Sequence, residues 1–115
     1  MFNFVTIYGV RVVFPQSNTI AAIHQTNENY GVVYTQGGHK FLTTEPIEVL
    51  LKHLPFRSIR LTAHRKPLGD IYLRGPVSAI QEFGLFRVIN FIQGELAVCE
   101  TETEILEIIR KSEMP

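Results

Sequence analysis

Arg57, Arg60, His64, Arg65 and Lys66 form the densest group of side chains here that could do chemistry, and that chemistry is anion binding. Arginine offers phosphate a flat fork of donors, whereas lysine offers a mobile point charge. Alternation over 58–64 predicts a strand with Ile59, Leu61 and Ala63 on one face and Arg60, Thr62 and His64 on the other. Arg60 and His64 would then leave one surface, with Arg65 and Lys66 at its end. From Lys52 to Arg74 six cations stand against Asp70 alone, while Glu95 to Glu107 holds five glutamates and no base. A chain divided in this way can show phosphate a positive face and still carry a formal net charge of +0. The same cations would equally serve to keep an edge strand from pairing with another sheet, so both readings stand at this point.

Catalytic chemistry finds little support. Asp70 is the single aspartate, and the glutamates that might supply a carboxylate pair gather on an expected surface helix. His24, His39, His53 and His64 lack metal-ligand spacing, and Cys99 has no Cys-x-x-Cys partner. Cys99 follows Val98 on a strand and is expected in a small core or half-buried place. No nucleophile elbow or phosphate loop is present, and Gly37-Gly38 reads as a hairpin turn. Aromatic residues are spread among the strands as core rather than as a platform for bases. The expectation is a non-enzyme with no metal and no cofactor.

The elements that must hold the basic group are those of one compact α+β domain dominated by antiparallel strands. At 45% hydrophobic and 19% charged, the 115 residues have globular rather than disordered composition. No apolar run is long enough to span a bilayer, 1–4 does not resemble a signal peptide, and one cysteine suits a reducing compartment. No membrane association and a cytoplasmic location are therefore expected. Strands are predicted over 2–7, 10–14, 18–25, 30–35, 39–43, 58–64, 71–73, 77–83, 85–92 and 95–100. The segment 77–83 suits strand or short helix, and its likeness to 20–25 decides for strand. A helix over about 44–54 carries Ile47, Leu50, Leu51 and Leu54 as one stripe, with Pro46 in its first turn. A second over about 101–112 opens on Thr101-Glu-Thr-Glu104, a capping box, and buries Ile105, Ile108 and Ile109.

The two helices close two similar stretches. At an offset of 57, Ala22, Ile23, Gln36, Gly37, Thr44 and Glu45 meet identical residues at 79, 80, 93, 94, 101 and 102. With one inserted residue, Ile47, Leu50 and Leu51 then match Ile105, Ile108 and Ile109. Two pseudo-repeats, 1–57 and 58–115, are a natural reading, although turn glycines and cap threonines recur in any hairpin followed by a helix.

Two families share these patterns. The run Ile20, Ile23, Asn29-Tyr30, Val32, Thr35, Gly37-Gly38-His39-Lys40-Phe41-Leu42, then Leu50-Leu51, Leu54-Pro55-Phe56 and His64-Arg65-Lys66, resembles the LytTR-type DNA-binding domains of bacterial transcription regulators. That resemblance implies a β-dominated domain that places loops in successive major grooves of double-stranded DNA, usually as a dimer. It implies contacts from the 27–30 loop, Asn29 included, and from His64, Arg65 and Lys66; Arg57 and Arg60 join these as nucleic-acid-binding candidates from the basic group itself. Gly69-Asp70 stands where that family has Val-Asn, exchanging a base-reading amide for an acid. Each half also resembles the small FlbD-type flagellar and swarming-motility proteins: a glycine turn, an Ile-x-x-Ile strand, a glycine hairpin and a Glu-led helix. This second likeness implies a non-catalytic module that binds a protein partner or a second copy.

Overall fold

The computed structural model describes residues 2–14, 20–26, 29–52, 59–64, 69–74, 77–91 and 94–113. A hairpin of β1 (Phe2–Val5) and β2 (Arg11–Phe14) leads into a meander of β3 (Ile20–Thr26), β4 (Gly31–Thr35) and β5 (Lys40–Thr43), followed by α1 (Ile47–Leu51). The order then recurs: a hairpin of β6 (Ile59–Thr62) and β7 (Gly69–Leu73), a meander of β8 (Val77–Glu82), β9 (Arg87–Phe91) and β10 (Gly94–Val98), and α2 (Glu102–Glu113). The expected α+β class with antiparallel sheets and two short helices is what the chain forms.

Register carries the recurrence further. The β3–β4 ladder slips between Ile20 and Ala22, and the β8–β9 ladder slips between Val77 and Ala79, each 57 residues on. Just past β1, Thr6 pairs with Thr43 at the end of β5; just past β6, Ala63 pairs with Val98 at the end of β10. Seven residues beyond each bridge, Leu50 and Ile105 are fully buried. The helices thus correspond through Leu50 and Ile105, not through Ile47 and Ile105 as the apolar stripes suggest.

Pairing between β3 and β7 joins the halves into a five-stranded sheet of order β5-β4-β3-β7-β6. β3 lies at its centre and is buried along nearly its whole length. Side chains alternate across the pleat, so the sheet feeds two cores. Ile23 and Val33 pack with Phe4, Phe14 and Leu50 under the first hairpin and α1. Ala22, Ile59, Leu61, Ile71 and Leu73 pack with Ile89, Phe91, Val98 and Ile105 under the β8–β10 sheet and α2.

Two backbone features shape this end of the sheet, and the second closes the joint. Asn29 takes a left-handed φ of 63° in the β3–β4 connection, a conformation that asparagine tolerates better than most residues. Gly69 has φ 134°, and a Cβ there would sit 1.8 Å from the Gln25 carbonyl oxygen, so only glycine lets β7 begin against β3.

Some local expectations differ. Pro46 precedes α1 as its N-cap rather than lying in its first turn, and no side-chain cap bond is made there. Thr43 substitutes: its hydroxyl donates to the Val5 carbonyl (2.8 Å) and accepts the Glu45 amide (3.1 Å), tying the helix entry to the first hairpin. α1 ends at Leu51 with Lys52 as its C-cap, shorter than the expected 44–54, and Leu54 lies outside the described residues. Cys99 is exposed because Val98 takes the inward position and alternation turns the next residue out.

Candidate functional site

Arg60 lies on β6 opposite Tyr72, on the sheet face reached by Asp70 and Thr62. Its Nη2 donates to Asp70 Oδ2 at 2.6 Å, and its guanidinium carbon stands 5.8 Å from the Tyr72 ring centre. The hydrogen bond to Asp70, with charges nearby, raises the Arg60 pKa above its ordinary value. This exposed cation therefore already has its carboxylate. Two residues on, the Thr62 amide donates to Glu100 Oε1 at 2.9 Å, placing a second carboxylate at the end of the same strand.

His64 meets different company. Its amide donates to the Ala97 carbonyl, and the Cys99 amide donates to the Thr62 carbonyl, so β6 runs on into β10. The imidazole stacks on Phe86 (4.8 Å between centres, 15° between planes), and Phe86 stacks on Phe83 (5.2 Å, 11°). Cys99 Sγ lies 3.9 Å from His64 Nδ1 and 3.5 Å from the Ala63 carbonyl, to which it donates. Sequence reasoning missed this ladder, because Phe86 is distant in sequence and comes near through the pairing of the β6 end with β10. Arg57, Arg65 and Lys66 lie outside the described residues.

Asn29 is exposed at the tip of the β3–β4 connection. Thr26 pairs with Gly69, and the Ala63 amide donates to the Gly69 carbonyl, so that connection and the one between His64 and Gly69 leave the same end of the five-stranded sheet. The structure thus brings Asn29 and His64 to one end and holds Arg60 on a broad face, paired.

The acidic stretch is also largely engaged. Glu104 and Thr101 exchange the two bonds of a capping box, at 3.1 and 3.2 Å, and these lower the Glu104 pKa. Glu107 is held below its usual range by its hydrogen bond to Arg110. Among the described residues no group of histidine, cysteine and carboxylate side chains could hold a metal ion, and no helix is long and apolar enough to cross a membrane.

A second surface was not marked by charge. Val5, Ile7, Tyr8, Val10 and Val13 are exposed along the first hairpin, and Phe83 and Leu85 are exposed at the β8–β9 turn. The signal for the first group was an almost wholly apolar stretch, Val10 to Phe14, which reads only as a strand. Both groups flank strands that lie at the edges of their sheets. Compared with known proteins, the chain matches no family, no curated protein and no solved structure.

Proposed function

We propose that this chain is a non-catalytic protein-interaction module made of two related five-strand-and-helix units, the function that the FlbD-type likeness implies. The observation that carries the reading is the shared register: the same ladder slip, the same strand-one to strand-five bridge and the same buried helix residue in each half. A duplicated scaffold with apolar strand edges offers surface for a partner, and exposed apolar patches on small proteins commonly mark such contacts. The test is light scattering on a sizing column, alone and with added duplex DNA, together with affinity capture after nuclease treatment. A protein complex or self-association indifferent to nucleic acid is expected. Tight duplex binding with no protein association would overturn the reading.

DNA binding of the LytTR type is the second reading, and the convergence of Asn29 and His64 at one sheet end favours it. It ranks lower because Arg60 is paired with Asp70, and Glu100 sits where the same strand ends. If it holds, duplex affinity falls steeply with salt, since contacts to phosphate release counterions. The double variant Arg65→Ala, Lys66→Ala would then lose its gel shift with the fold intact. An unchanged shift removes this reading.

A further inference from the structure

The two halves differ in one pairing. In one half the meander's first strand, β3, gives its outer edge to the hairpin strand β7, in the register Ala22 with Leu73, Ile23 with Tyr72, His24 with Ile71 and Gln25 with Asp70. The counterparts of these strands are β8 and β2. Among the described residues, neither has a partner on its outer edge. Through the two isolated bridges, strand order among the described residues therefore runs from β2 at one end to β8 at the other.

The free backbone groups of the two edges are in phase. Phe83 donates its amide to the Phe86 carbonyl, so along the β8–β9 ladder Gln81 and Ala79 point inward while Ile80 and Glu82 point outward. Thr6 donates to the Val10 carbonyl, so along the β1–β2 ladder Val12 points inward while Arg11 and Val13 point outward. The β3–β7 ladder has the same phase, since Arg74 donates to the Ala21 carbonyl and so Ile23 with Tyr72 and Gln25 with Asp70 are its bonded pairs. Carried over by the two halves' register, that ladder sets Ile80 opposite Val13 and Glu82 opposite Arg11. An apolar residue then meets an apolar one, and Glu82, whose carboxylate also lies 3.3 Å from Arg87 Nε, meets Arg11.

The ends of the ladder are defined as well. Val10 occupies the place of Gly69, where a side chain does not fit against a neighbouring strand, so pairing stops at Arg11. Pro15 has no amide hydrogen, so it stops after Phe14. Beyond the ladder, Val10 (58% exposed) and Phe83 (55%) remain to cover each other.

We propose that β8 of one copy of this chain pairs antiparallel with β2 of a second copy, in the register Ala79 with Phe14 through Glu82 with Arg11. The proposal rests on the interaction-module reading and names its partner. Because the two edges belong to different surfaces, the contact is heterologous and builds a ring or a filament rather than a face-to-face dimer.

Sedimentation velocity over a concentration series tests it. Wild-type mass should rise with concentration in whole chains. Val13→Pro removes an outward amide at an exposed edge position and should weaken association by about ten-fold or more. Arg11→Glu sets like charges opposite each other and should weaken it by about two- to five-fold, less at high salt. Neither residue is deeply buried, and far-UV circular dichroism checks that each variant folds. Glu82→Pro blocks the other edge, and mixing it with Val13→Pro leaves one intact junction, so the mixture should form one-to-one dimers that neither variant forms alone. Should Glu82→Pro fail to fold, the two β2 variants decide. A wild-type chain that stays monomeric at every soluble concentration overturns the proposal, while capture of another protein would leave the broader reading standing. Association that survives both β2 variants also overturns it, and places self-contact on another surface.

Discussion

β3 and β8 begin as the same strand and end in opposite environments. β3 carries Ile-Ala-Ala-Ile-His-Gln-Thr and has strands on both sides and cores on both faces. β8 carries Val-Ser-Ala-Ile-Gln-Glu, pairs on one side only, and leaves most of its side chains in water. The differences follow the exposure: Ala21 corresponds to Ser78, His24 to Gln81, and Gln25 to Glu82. Of the shared Ala-Ile pair, the isoleucine has a shared reason, since Ile23 and Ile80 each pack on the core beside them, whereas Ala22 is buried and Ala79 is exposed. Ladder geometry is thus set by the unit, whereas burial is set by what the neighbouring unit presents.

The sharpest way to break this comparison is at the joint that one half has and the other lacks. Gly69 and Val10 occupy corresponding places, but Gly69 has the Gln25 backbone against it whereas Val10 is exposed. Gly69→Ala would push a methyl into the Gln25 carbonyl at a φ that side chains rarely adopt, and should cost more than about 4 kcal/mol or prevent folding. Val10→Ala, with its side chain in solvent, should change stability by less than about 0.5 kcal/mol. Urea unfolding followed by circular dichroism measures both. Equal costs would mean that β3 and β7 are not joined as described.

That contrast also marks how far the sequence could be read. Strands and helices were legible because period-two and period-3.6 patterns record local exposure, and 77–83 was resolved as a strand by its likeness to 20–25. Gly69 was not legible as a joint, since 66–70 reads as a turn by composition and nothing local announces a strand 44 residues away. The same limit hid the Arg60–Asp70 pair: ten residues separate them, and their meeting depends on the β6–β7 register. Val10 to Phe14 read as a strand because its residues favour extended backbone, and that preference does not say which of them stay exposed. Of the candidate site, the common end shared by Asn29 and His64 follows from topology alone, whereas their chemical context does not.

A second comparison concerns the helices. Leu50 and Ile105 are each fully buried, one in each core, at matching distances from the Thr43 and Val98 bridges. Truncation to alanine should cost about 3 kcal/mol at either position, from lost transfer energy and the cavity left behind. Because β3 and β7 share one sheet, both variants should still unfold in a single transition at lower denaturant. Two separated transitions in the Ile105→Ala variant would show the second half melting alone, and the sheet would then be a weaker coupling than its pairing implies.

The smallest expected difference is at the helix entrances. α2 opens on a reciprocal capping box, whereas α1 has no side-chain cap bond at its N-cap and depends on Thr43, a residue that does not titrate. Thr101→Ala should therefore cost about 1 kcal/mol at neutral pH. The acid response separates the two entrances further. The backbone bond to Thr101 lowers the Glu104 pKa below the ordinary 4.5 in the folded chain. Its stabilising contribution is then complete above that ordinary value and is lost as the pH falls through the lowered one, because the unfolded chain takes up the proton first. Stability measured across pH 6 to about 3 should fall less steeply in Glu104→Gln than in the parent, since glutamine keeps the reach to the Thr101 amide without titrating. A parallel fall in both proteins would assign the acid sensitivity to other carboxylates, among them Glu107 with its Arg110 partner, and would leave the second entrance no more pH-dependent than the first.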